Sequence, residues 1–180
     1  MANPFETTDT EETVTCLCIT VYHPEQEQKQ VFRALKFCQH QQLRADELVK
    51  FGRDTNFCLF NFVDGRVSRI QFALHFFKHF NNTEFGFEIK NLSKKVKLIV
   101  DNVELAYLNK VDLPEICLVR FGDYEMLMQK QGGQSENYFE IRFELAKTPL
   151  WQDQREPLQQ PIPESGIFYS DSPLEVDEDE

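Results

Sequence analysis

The sequence predicts an all-β fold, a sandwich of two antiparallel or mixed sheets, on three observations. Short segments alternate apolar and polar residues with the period of two that a half-buried strand requires. Turn-forming dipeptides separate them at short intervals, which suits a sandwich and not an alternation of strands with helices. Finally, 17 of the 180 residues are Phe, a strand-favouring side chain of large area, within a hydrophobic share of 41% that can fill a core.

Taken in order, Thr13 to Tyr22 is rich in Thr, Val and Ile and holds little that would start a helix. Glu25 to Gln42 admits a helix, yet Val31–Cys38 also reads as a strand, and strand is the reading preferred here. From Ser68 to Phe80 the alternation sets Ile70, Phe72, Leu74 and Phe76 on one side and Arg69, Gln71 and His75 on the other. Phe85, Phe87 and Ile89 repeat the period, as do Ile116–Phe121, Tyr124–Met128 and Tyr138–Leu145. Turns are expected at Asp64-Gly65, Asn81-Asn82, Asp101-Asn102, Leu113-Pro114, Gly122-Asp123 and Gly132-Gly133.

Charge divides the chain into three parts. The net charge is −11, yet residues 13–146 carry 17 basic and 17 acidic side chains and sum to zero. An arm, 1–12, holds Glu6, Asp9, Glu11 and Glu12 with no base, and a tail, 147–180, sets nine acids against Lys147 and Arg155. Five of the eight prolines also lie in the tail, a composition that cannot offset its own ordering entropy, so both ends are expected to be flexible. An acidic chain without a basic stripe is a poor ligand for nucleic acid or for an anionic membrane. Nothing approaches the length of a membrane-spanning helix, and the acidic start does not read as a secretory signal. The five Cys (16, 18, 38, 58 and 117) sit in apolar runs as buried free thiols would, so the cytoplasm is the expected location.

Three clusters fall at expected strand ends or loops, where binding residues collect: Phe51-Gly52-Arg53, Val67-Ser68-Arg69, and Lys90-Asn91 with Lys94, Lys95 and Lys97. Together they suit a phosphate. Arg53 offers a planar fork of donors, Gly52 lets backbone approach closely, Ser68 adds a hydroxyl, and Lys90 and Asn91 add a charge and an amide. The further lysines raise the local potential.

In this order the residues resemble the forkhead-associated (FHA) family, β-sandwiches that bind phosphothreonine peptides between their loops. The family pattern is Gly-Arg, then Ser-x-x-His, then a loop containing Asn. Here it reads Gly52-Arg53, then Ser68-Arg69-Ile70-Gln71, then Asn91-Leu92-Ser93. The resemblance implies that Arg53 and Ser68 hold the phosphate while Lys90 and Asn91 hold the peptide. Two departures stand out: Gln71 replaces the supporting His, and Val96-Lys97-Leu98 replaces an Asn-Gly-Thr that contacts peptide in the family.

The likeness extends into both ends: with Asp9-Thr10-Glu11-Glu12-Thr13-Val14-Thr15-Cys16-Leu17 and the tail, the chain resembles the adaptors of that family that interact with TRAF ligases. Thr10, between Asp9 and Glu11-Glu12, alone reads equally well as an ordinary threonine in an acidic arm. Phosphorylated by an upstream kinase, it would carry the charge and acceptors that an Arg and Lys pocket takes. Twelve extended residues span at most about 40 Å, enough to reach a pocket on the same or a neighbouring molecule. The resemblance implies the neighbour: a homodimer grows into higher oligomers through a heterologous contact that need not close.

Pro173-Leu174-Glu175-Val176-Asp177-Glu178 fits Pro-x-Glu-x-x-acidic, a pattern common in acidic tails. The resemblance implies that Pro173, Glu175 and Glu178 mark a peptide for TRAF-family ubiquitin ligases, the sixth member in particular, leading to NF-kappa-B activation in innate immune signalling. Such a peptide adds to a sheet edge, and clustering gives weak tails avidity.

Other chemistry is set aside. His75 and His79 at i and i+4 would suit zinc on a helix, but on a strand they stand about 13 Å apart. No Cys has the context of a nucleophile with its base, so neither an enzyme nor a cofactor or metal is expected. The competing reading is a phosphopeptide module that reads another protein without self-assembly.

Overall fold

The computed structural model describes residues 13–78 and 84–151. In chain order its elements are β1 (Thr15–Tyr22), α1 (Gln26–Lys29), β2 (Gln41–Arg44), β3 (Val49–Gly52), β4 (Phe60–Asn61), β5 (Phe72–Lys78) and β6 (Phe85–Asn91). They continue with β7 (Leu98–Val100), β8 (Val103–Leu105), β9 (Lys110–Asp112), β10 (Ile116–Phe121), β11 (Tyr124–Gln131) and β12 (Tyr138–Leu145). The chain divides into two units, 1–148 and 149–180, and every one of these elements lies in the first.

Alternation becomes two sheets. One has seven strands in the order β2-β12-β1-β11-β10-β7-β8, the other five in the order β4-β3-β5-β6-β9. Both are mixed, because β1 pairs with β12 in parallel and β3 with β4 in parallel, while the remaining neighbours run antiparallel. Leu17, Ile19 and Val21 of β1 and Phe139, Ile141 and Phe143 of β12 face inward and are buried. They meet Val49, Phe51, Phe72, Leu74, Phe76, Phe87 and Ile89 of the other sheet in one core.

Phenylalanine joins the layers. Phe143 packs edge-on to Phe60 at 4.8 Å, Phe139 stacks on Phe76 at 4.8 Å, and Phe121 meets Phe72 at 5.7 Å. Each buried Phe contributes about 1.5–3 kcal/mol from area alone, which makes this core the main source of stability. The turn between β10 and β11 is closed by Gly122 at φ +55°, a conformation that a side chain would strain.

Two expectations need correction. Val31–Cys38 is not a strand. Gln30 takes a left-handed conformation (φ 51°) that ends α1 and swings the chain inward, and Cys38 does the same (φ 63°). Between them Val31, Phe32 and Leu35 are all buried; adjacent residues on a strand would point to opposite sides, but here both Val31 and Phe32 face the core. Phe32 fills the end of the sandwich against Phe62 and Tyr124.

The alternation over 68–80 also starts late. Ser68 to Ile70 form a loop, Ile70 is half-exposed, and Gln71, expected on the outer side, is fully buried. Of the expected turns, Asn81-Asn82 lies outside the described residues. Among those described, no helix is long and apolar enough to cross a membrane.

Candidate anion-binding site

Three loops meet at one end of the five-stranded sheet, and backbone hydrogen bonds knit them together. Past the end of β3, the amides of Arg53 and Asp54 donate to the carbonyls of Ser68 and Arg69, both at 3.0 Å. The Gln71 amide donates back to the Phe51 carbonyl at 2.7 Å, and its own carbonyl accepts from the Leu92 amide at 3.0 Å. This closeness explains Gly52. A Cβ there would collide with the Arg69 carbonyl oxygen and lie 2.9 Å from both Cys58 Sγ and the Gln71 nitrogen.

Within this frame Arg53 is exposed, its Nε donating to the Val67 carbonyl at 2.9 Å, which aims the guanidinium without neutralising it. The Ser68 amide donates to Gln71 Oε1 at 3.0 Å, so the Gln71 amide braces the serine loop. Gln71 Nε2 is buried with no partner among the described residues.

Ser68 Oγ lies 2.7 Å from Ser93 Oγ. Ser93 Oγ already accepts from the amides of Lys95 (3.2 Å) and Val96 (3.1 Å), which occupies its two lone pairs. Its hydrogen therefore goes to Ser68, and the Ser68 hydroxyl keeps its own proton free to donate outward.

The loops enclose a cavity of about 580 Å³ lined by Arg53, Arg66, Ser68, Arg69, Lys94 and Lys95, with Phe57, Leu92 and Tyr107 as apolar walls. None of its lining residues is acidic. Arg66 is held from behind by Glu25 (2.7 Å) and Asp64 (3.4 Å), and Arg69 by Asp54 (3.4 Å). Lys94 Nζ sits 5.2 Å from the centre of the Tyr107 ring. Arg53 and Lys95 have no acidic partner among the described residues. Several cations around a free hydroxyl make a site for a multiply charged anion.

Not every expected residue is presented to this cavity. Asn91 is fully buried: its Nδ2 donates to the carbonyls of Leu105 (2.8 Å) and Val96 (3.3 Å), and its Oδ1 accepts from the Ser93 amide (3.0 Å). It shapes the loop from inside instead of facing a ligand. Lys90 stands on the outer face of β6, in a neighbouring groove of about 520 Å³. Val96-Lys97-Leu98 is structural: Leu98 opens β7 and is fully buried, while Lys97 pairs with Glu104 at 3.3 Å. Thr10, Pro173, Glu175, Glu178 and His79 lie outside the described residues.

Sequence reading passed over Ser93, although Asn91-x-Ser93-x-Lys95 carries the spacing of consecutive side-chain-to-backbone turns. It also passed over Arg66 and Tyr107, which local sequence does not mark. None of the cysteines lines the cavity, although Cys58 Sγ donates to the Arg69 carbonyl at 3.2 Å behind it, and contrary to expectation Cys38 is exposed and Cys18 half-buried. Burial raises the thiols of Cys16 and Cys58, and pushes Cys117 up to about 12, so all three stay protonated. Cys16, His40 and Glu140 gather their donor atoms within 4.8 Å on the other sheet, where the contact of His40 Nδ1 with Glu140 Oε1 at 2.9 Å accounts for two of the three.

No protein-family model matches the chain. Among solved structures it is similar to the MEK1 FHA domain (TM-score 0.42, 14% identity, 47% of this chain and 72% of that one). It is likewise similar to the FHA domain of CT664 protein from Chlamydia trachomatis (TM-score 0.41, 14% identity, 66% of this chain and 97% of that one). Sequence relatives are much nearer. TRAF-interacting protein with FHA domain-containing protein A from Rattus norvegicus and from Homo sapiens are each 51% identical over 98% of both chains. The protein of that name from Xenopus tropicalis is 48% identical over 96% of both. With about half of the residues shared along nearly the whole length, this chain belongs to the family of TRAF-interacting proteins with a forkhead-associated domain.

Proposed function

We propose that this chain is a non-catalytic cytoplasmic adaptor that reads phosphothreonine, its ligand being phosphorylated Thr10 of a neighbouring molecule. The observation that carries this is the cavity itself: Arg53 and Ser68 present unspent donors among Arg66, Arg69, Lys94 and Lys95, with no acid in the lining. Gly52 permits the approach of strand and loop that brings Arg53 beside Ser68. Lys90 flanks the cavity and meets the peptide beyond the phosphate. Asn91, expected to touch the peptide, acts through the loop it braces.

Family membership supports the rest. The arm carries Thr10 among acids without a base, so reader and ligand lie on one chain. Phosphorylation by an upstream kinase links dimers into open assemblies. Clustering then gives the tail motif at Pro173, Glu175 and Glu178 avidity for TRAF-family ubiquitin ligases, the sixth member in particular, and so activates NF-kappa-B in innate immune signalling.

Titration of a synthetic peptide of residues 1–15 onto the full chain tests the core of this reading. The Thr10-phosphorylated peptide should bind saturably and its unphosphorylated form should not, while Arg53→Ala should remove binding with the fold intact. Equal binding of the two peptides would overturn it. In cells, Thr10→Ala and Arg53→Ala should each abolish large assemblies, whereas Glu175→Ala should leave assembly and remove TRAF recruitment. A phosphopeptide from another protein binding while the chain's own arm does not would leave a reader of foreign partners.

A further inference from the structure

Strand register on the outer face of the five-stranded sheet places three lysines in a single row. Lys50 of β3 is directly opposite Ala73 of β5, Ala73 is opposite Lys90 of β6, and Lys90 is opposite Lys110 of β9. Four strands at about 4.8 Å spacing make this rung about 14 Å long. Ala73 has no side chain beyond its Cβ, so the rung carries a dip between Lys50 and Lys90. All four residues line the groove of about 520 Å³ that shares Ile70, Leu92 and Tyr107 with the anion cavity.

Such a row is unfavourable for the folded chain alone. Like charges directly opposite each other destabilise a sheet, and Lys90 faces Lys110. Only Lys110 is compensated, by Glu88 at 3.5 Å. Lys50 and Lys90 have no acidic partner among the described residues. The rung lies three residues back from Arg53 along β3 and three back from Ser93 along β6, about 10 Å of strand that lysine stems shorten further.

We infer that the Lys50–Lys90–Lys110 rung is a second subsite, which selects an acidic residue two positions beyond the phosphothreonine, and that its occupant is Glu12 from the arm of a second copy. The inference rests on the phosphothreonine reading of the neighbouring cavity. In an extended peptide residues i and i+2 point the same way about 7 Å apart, so Glu12 shares the side of Thr10 that faces the domain, while Asp9 and Glu11 point away. The arm holds four acids and no base, complementary to the rung. Phosphate thus supplies anchoring, and the rung supplies the preference for this chain's own arm over an arbitrary phosphothreonine.

The test is calorimetric titration of the full chain at physiological salt with three Thr10-phosphorylated peptides of residues 1–15: native, Glu11→Gln and Glu12→Gln. An exposed charge pair is worth up to about 1 kcal/mol, so Glu12→Gln should weaken binding about two- to fivefold and Glu11→Gln by less. The double variant Lys50→Gln/Lys90→Gln, which keeps the Lys110–Glu88 pair, should bind the native and Glu12→Gln peptides alike, with a melting temperature at or above that of the parent. If the lysine variant still distinguishes Glu12 from Gln, or if Glu11 matters as much as Glu12, the rung is not a subsite. Arg53→Ala separates the two levels. If it abolishes binding while the lysine variant changes nothing, only the rung fails; if phosphopeptide still binds without Arg53, the cavity reading fails with it.

Discussion

The two sheets of this sandwich share one core but carry opposite kinds of outer surface. On the seven-stranded sheet, charges alternate in sign: Arg120 is opposite Glu125 across β10 and β11, and Arg142 pairs with Glu144 along β12. On the five-stranded sheet the Lys50–Ala73–Lys90–Lys110 rung sets like charges side by side and runs towards a cavity walled by further cations. The first face is what solvent asks of a sheet, neighbouring charges that cancel. The second keeps a repulsion that a bound anion would relieve. The contrast teaches where to look for a ligand: less at charge itself than at charge left uncompensated.

The largest effects should come from residues that hold the second region together. Asn91→Ala would strip hydrogen bonds from the carbonyls of Leu105 and Val96 and the amide of Ser93, all satisfied by one buried side chain. Unmade hydrogen bonds of this kind should cost about 3 kcal/mol in urea unfolding and weaken phosphopeptide binding with it. Gly52→Ala forces a methyl group against the Arg69 carbonyl and should cost about 2 kcal/mol, again with loss of binding. Retained affinity in either variant would mean that the loops reach the peptide by some other frame.

Charge reversal addresses the contrast directly. Lys90→Glu places opposite charges across β6 and β9 without breaking the Lys110–Glu88 pair, and should gain a few tenths of a kcal/mol in stability while weakening the peptide severalfold. Arg142→Glu on the other sheet should do the reverse, losing its pairing with Glu144 and leaving the peptide affinity unchanged. Equal effects of the two reversals on binding would show that the peptide senses net charge and not a place on the protein.

How much of this was legible in the sequence follows from length and register. Phe85–Phe87–Ile89, Ile116–Phe121 and Tyr138–Leu145 repeat long enough to declare a period, and they are strands as expected. β7, β8 and β9 have three residues each, too few to show any period, so only their partners define them. Arg53 and Ser68 were legible because they stand beside strand ends with a Gly and turn residues around them. Asn91 was legible as important but not in its role, since an amide that braces a loop and one that greets a ligand look the same in sequence. The lysine rung was invisible: Lys50, Lys90 and Lys110 lie 40 and 20 residues apart, and only pairing through Ala73 aligns them.

The smallest expected effect belongs to His23, which neither outer face controls. It is 3% exposed at the end of the sandwich, its ring 4.4 Å from that of Tyr124 and its Nδ1 accepting from the Glu25 amide at 3.0 Å. Burial lowers its pKa below the ordinary 6.5, although Asp64, Asp123 and Glu25 pull it up and Arg66 adds to the lowering. The sign follows from proton counting. Below about pH 6.5 the unfolded chain takes a proton that the folded one refuses, so the stability linked to His23 is present at pH 7 and lost as pH falls. Urea midpoints measured from pH 7 to pH 5 should therefore drop more steeply in the parent than in His23→Asn, whose Oδ1 can still accept the Glu25 amide. Parallel curves would mean that the three carboxylates hold His23 at its ordinary value and that burial does not win.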